Sequence, residues 1–63
     1  MNKYIIFGTN ERNNQPIQEV IEYSNDLIAL IDSYMFAMIR NCHENYTLFR
    51  VNKDGSLTEI ERI

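Results

Sequence analysis

The chain has 63 residues with nine acidic against six basic side chains, giving a net charge of −3 and a pI near 4.9. One domain spanning 1–63 is expected, near the lower size limit for folding alone, because so short a chain buries only about 60% of the surface its unfolded form exposes. Lys3, Arg12, Arg40, Arg50, Lys53 and Arg62 are spread along the chain and form no run, which argues against direct DNA or RNA binding.

Small chains compensate for a thin core with disulfides, a metal, oligomerisation or very efficient packing. Cys42 is the only cysteine and His43 the only histidine, so neither an internal disulfide nor a four-ligand structural zinc site is available. No cofactor is expected. Oligomerisation is the economical remainder, and a two-fold dimer is the commonest closed form. Nine Ile and eight Asn also point to an AT-rich coding genome.

The opening MNKYIIFG carries one Lys and a short apolar run, too short for the core of a secretory signal. Tyr4 to Phe7 is β-branched and aromatic and ends at Gly8, which suits a strand with Tyr4 and Ile6 on one face and Ile5 and Phe7 on the other. The polar TNERNNQP that follows reads as an exposed loop ending at Pro16. From Ile17 to Tyr23 two readings compete. Ile17, Glu19, Ile21 and Tyr23 alternate with Gln18, Val20 and Glu22 as in an edge strand, yet Ile17, Val20, Ile21 and Ser24 also fall at helical spacing behind Pro16. Ser24, Asn25 and Asp26 are N-cap formers directly ahead of an apolar run, which favours a strand, a break and a helix starting near Asp26. Asp26 in the first turn and Arg40 near the last both suit the helix dipole. The alternative is one long helix over 16–42 and a β-α-β-β fold.

The stretch 27–42, LIALIDSYMFAMIRNC, is the most informative, because Asp32 is the only charge between Leu27 and Ile39. It falls short of the roughly 20 apolar residues of a membrane span and lacks the basic flank of an interfacial helix. A soluble cytoplasmic protein with a reduced thiol and no membrane partner is expected. A helix apolar most of the way round expects a second partner. At 100° per residue, Leu27, Ile28, Ile31, Tyr34, Met35, Met38, Ile39 and Cys42 form the expected core face. Asp32, Ser33, Arg40 and His43 take the opposite arc, with Ala29 and Phe36 in its middle and Leu30 and Ala37 on one flank. Ala29, Leu30, Phe36, Ala37 and Arg40 are therefore expected to line a contact with a second copy or another protein. Aromatic anchors dominate interface energies, and alanine permits close helix approach.

Tyr46 to Asn52 and Leu57 to Ile63 are strand-like runs around Lys53-Asp54-Gly55-Ser56, and Asp-Gly between such runs is a strong hairpin signal. A two-residue turn at Asp54-Gly55 would place Phe49 and Val51 on a face with Ile60, and Arg50 opposite Glu59. A bulged residue at Gly55 would pair Phe49 with Glu59 instead. The first register is preferred, because it keeps Phe49 beside Ile60. The expected fold is α+β, β-β-α-β-β: a small antiparallel sheet of two hairpins with one helix packed across one face. The opposite sheet face keeps some apolar side chains uncovered.

Catalytic constellations are not evident, and no enzyme is expected. Cys42 and His43 are neighbours whose side chains would diverge by about 100° on a helix, so they form no nucleophile and base pair. Cys42 reads as a small buried hydrophobe and His43 as a cation or cap at the helix end. Only Glu59 and Glu61 certainly share a strand face, and carboxylates so placed are usually solvated. Gly8 and Gly55 are the only glycines, so no Gly-rich phosphate loop exists. The leading functional expectation is a small acidic homodimeric protein-protein interaction module that inhibits or regulates a larger protein. In size and composition alone, it looks like the products that phages and mobile elements direct against host enzymes or defence systems. One alternative is an acidic nucleic-acid mimic presenting Glu19, Glu22, Glu59 and Glu61 to a DNA-binding protein's cleft. Another is a small-ligand binder or enzyme with a site at the dimer seam, using Tyr34, Arg40 or His43.

Overall fold

The computed structural model describes residues 1–42 and 45–62. In chain order the elements are β1 (Asn2–Thr9), β2 (Pro16–Tyr23), α1 (Asp26–Ile39), β3 (Tyr46–Val51) and β4 (Leu57–Arg62). Neighbouring strands pair antiparallel in the order β2-β1-β3-β4. The α+β, β-β-α-β-β architecture read from the sequence is the one found. Pro16–Tyr23 is a strand rather than the start of a long helix, and it lies on the sheet edge.

Local chemistry fixes the joints. The Asn25 side chain accepts a hydrogen bond from the Ile28 amide at 2.9 Å, capping α1 where the cluster of N-cap formers predicts. At the other end Asn41 takes a left-handed φ of 58°. The Cys42 amide donates to the Ala37 carbonyl at 2.9 Å and the Asn41 amide to that of Met38 at 3.3 Å. This is the Schellman arrangement, in which two orphan carbonyls of the last turn are satisfied by the residues that leave it. The β1–β2 loop reaches the same end, where the Glu11 amide donates to the Asn41 carbonyl at 2.6 Å.

The β3–β4 hairpin takes the register that was not preferred. Phe49 pairs with Glu59, Arg50 with Thr58 and Val51 with Leu57. Gly55 supplies the reason: its φ of +88° and the bonds Gly55 N to Asn52 O (3.0 Å) and Asn52 N to Ser56 O (2.8 Å) build a turn one residue longer than a two-residue loop. A bulge opposite Leu48 and Phe49 then shifts the pairing to Leu48 with Glu61 and lets Ile60 pack against the core. Arg50 is freed from Glu59 and bonds Asp26 at the start of α1.

The core lies between α1 and one sheet face. Tyr4 and Ile6 of β1 and Tyr46 and Leu48 of β3 are buried there, together with Cys42. The helix contributes only Ala29, Ser33 and Ala37 as buried residues. This reverses the expected orientation. Leu27, Ile28, Ile31, Tyr34, Met35, Met38 and Ile39, read as the inward face, are exposed. Ala29, Ser33 and Ala37, placed on the outward arc or its flank, face the sheet. The physical reason is complementarity of size: the sheet supplies bulk through two buried tyrosines, and small side chains every fourth residue let α1 approach them closely.

Candidate functional site

The outward face of α1 is the chemically distinctive surface of the molecule. Its seven large apolar residues, from Leu27 to Ile39, are 40 to 71% exposed. At 100° per residue they fill a continuous arc of about 140°, with Asp32 at its margin. Taking about 150 Å², the lower end of the aromatic range, for each of these mostly aliphatic side chains, they leave on the order of 600 Å² of apolar surface open. The largest apolar patch of a typical soluble monomer is about 300–600 Å², and each partner of a standard interface buries about 800 Å². Tyr34 is held on one flank by an edge-on contact with Tyr46, ring centroids 6.4 Å apart.

The residues first expected to line a contact are placed differently. Ala29 and Ala37 are buried against the sheet, and Leu30 is partly buried. Phe36 packs against the core with the Arg40 guanidinium 5.3 Å from its ring centroid. Arg40 also lies 3.4 Å from Glu19 of β2, so the pair flanks Phe36 rather than reaching toward a partner. The surface expected from sequence therefore lies on the wrong side of the helix, while the excess of apolar surface that motivated it is present on the other.

The four acidic residues form no common patch. Glu19 and Glu22 lie on β2 and Glu59 and Glu61 on β4, at opposite edges of the sheet. Glu59 accepts hydrogen bonds from Arg62, the shorter at 2.7 Å. Of the residues considered for a seam site, Tyr34 lies on the outward face and Arg40 turns toward Glu19, whereas His43 lies outside the described residues.

Two polar arrangements, one part-buried and one buried, have no signal in the local sequence pattern. The Tyr4 hydroxyl donates to Asp26 Oδ1 at 2.6 Å while the Arg50 guanidinium bonds Oδ2 of the same carboxylate. β1, α1 and β3 are thus tied at the helix N-terminus. Burial, and next the bond to Asp26, push the Tyr4 phenol up from its ordinary value. The Tyr46 hydroxyl is buried without a well-formed hydrogen bond among the described residues. Burial also raises this phenol, against a lowering influence from Ser33, whose own hydroxyl donates to the Leu30 carbonyl at 2.8 Å. Cys42 is buried and its thiol is likewise pushed up by burial, as suits an inert structural cysteine.

On the sheet face away from α1, an open depression of about 380 Å³ is lined by Phe7, Thr9, Thr47 and Arg62 among others. The one cation among its described lining residues, Arg62, is already bonded to Glu59. Among the described residues no group of three or more His, Cys, Asp or Glu side chains is placed to hold a metal ion, and no helix is long and apolar enough to cross a membrane. No protein-family model, curated protein or solved structure matches the chain.

Proposed function

We propose that the chain is a small acidic homodimeric protein-protein interaction module that inhibits or regulates a larger protein, with the outward face of α1 as its dimer contact. The observation that carries this reading is the helix orientation: the small residues face the sheet and the large apolar ones face solvent. Covering them removes apolar area from water at about 25 cal/mol per Å². The sheet's other face keeps a cross-strand row of Val20, Ile5 and Phe49, which such a dimer leaves open for a larger partner. Size and charge fit the kind of protein that phages and mobile elements send against host enzymes or defence systems. The nucleic-acid mimic gains no support, because its four carboxylates are split between two sheet edges and two of them face arginines.

The test is the absolute mass in solution, by light scattering over a range of concentrations. The wild type is expected at twice its 7.5 kDa chain mass. The double variant Ile31→Glu/Met35→Glu is expected at one chain mass with an unchanged far-UV spectrum, since both side chains are exposed in the isolated chain. A wild type that stays monomeric at the highest concentration overturns the reading.

A further inference from the structure

We infer that the outward face of α1 is closed by a second copy of this chain, packed antiparallel across a two-fold axis that passes at the level of Ser33. The inference rests on the homodimeric reading above and specifies the arrangement of that contact. The open apolar surface of α1 supplies most of one partner's share of a standard interface, so a second copy presenting the same face suffices to cover it. A two-fold contact must be self-complementary, and the positions along α1 meet that condition. Leu27 and Ile28 stand six and five residues before Ser33, Ile39 and Met38 six and five after it, and Ile31 and Met35 two on either side. A partner turned end for end about this level therefore sets these six apolar residues against apolar residues, with Asp32 left at the margin of the contact, level with the other copy's Tyr34.

The rotation also assigns neighbours. At 100° per residue Leu27, Ile31, Tyr34 and Met38 share one flank of the face. Leu27 of one copy then lies beside Met38 of the other. Ile31 and Met35 meet next to the axis, and the two Tyr34 rings, each already held by Tyr46, approach one another. A parallel pair would instead align two positive helix N-termini and two negative C-termini, whereas the antiparallel pair opposes unlike ends.

Cysteine cross-linking tests the arrangement, because a disulfide forms only when the two Cα atoms lie within about 7 Å. Leu27→Cys and Met38→Cys are each made in a Cys42→Ala background, their masses measured, and each is oxidised alone and as an equimolar mixture. The expected result is a covalent dimer in the mixture, at least tenfold above the yield from either variant alone. Cross-linking of each variant to itself, as a parallel pair would give, overturns the inference. So does a dimeric mass without cross-linking in the mixture, and in both cases the homodimeric reading survives. A monomeric mass before oxidation overturns both.

Discussion

Gly8 shows how closely the chain is folded back on itself. A Cβ built there would lie 2.8 Å from the Asn45 carbonyl oxygen, 3.1 Å from Tyr46 Cβ and 3.3 Å from Cys42 Cβ. The first contact is with backbone, and the Thr9 amide holds that carbonyl at 3.0 Å, so the chain leaving α1 cannot easily give way. Gly8→Ala is expected to destabilise the fold by about 1–3 kcal/mol, the usual cost of overpacking. Urea unfolding of the two proteins measures it, and an unshifted midpoint would show that this crossing is looser than described. The residue is chosen for the space it leaves, since its strand position demands no unusual backbone angle.

At the level of elements, α1 meets the sheet through Ala29, Ser33 and Ala37. Enlarging one of them should lift the helix from Tyr4, Tyr46 and their neighbours. Ala37→Leu is expected to lower stability by about 1–3 kcal/mol, read from the denaturant midpoint of the monomeric Ile31→Glu/Met35→Glu background. A neutral or stabilising effect would favour the large side chains facing inward. The sequence made most of the architecture legible: the N-cap formers Ser24, Asn25 and Asp26 ahead of an apolar run marked the helix start and thereby favoured a strand before it, which alternation alone left open, and Asp54-Gly55 marked the second hairpin. Which side of α1 is buried was not legible from hydrophobicity, because the arc that faces water is the more apolar of the two. The readable clue was size, in the small residues spaced four apart. The β3–β4 register is not legible because both turn lengths suit Asp-Gly, and only the bulge reconciles the longer one with Ile60 packing partly buried against the core. The bond from Arg50 to Asp26 joins residues 24 apart in sequence, a pairing that no local pattern announces.

For the molecule as a whole, buried weak acids make stability sensitive to alkali. Burial raises Cys42 above its ordinary 9.0, and Tyr4, Tyr23 and Tyr46 above 10.0. The native state therefore retains protons that the unfolded chain has released, so these groups favour the fold fully below their unfolded values and lose that effect as pH rises toward the folded ones. Urea midpoints measured from pH 7 to 11 are expected to hold steady to about pH 9 and then fall. A flat profile to pH 11 would mean that the phenols ionise freely in the native state.

The strand order carries a kinetic consequence. β1 is central, pairing with β2 across a short loop but with β3 across most of the chain, as in Gly8 with Tyr46. Each hairpin can form within about 1–10 μs, whereas their seam must first close the long intervening segment. The slow event in acquiring the native state is thus expected to be the closure of β1 on β3. Weakening Ile6 or Leu48 on that seam should retard folding, while changes at the hairpin tips should mainly hasten unfolding.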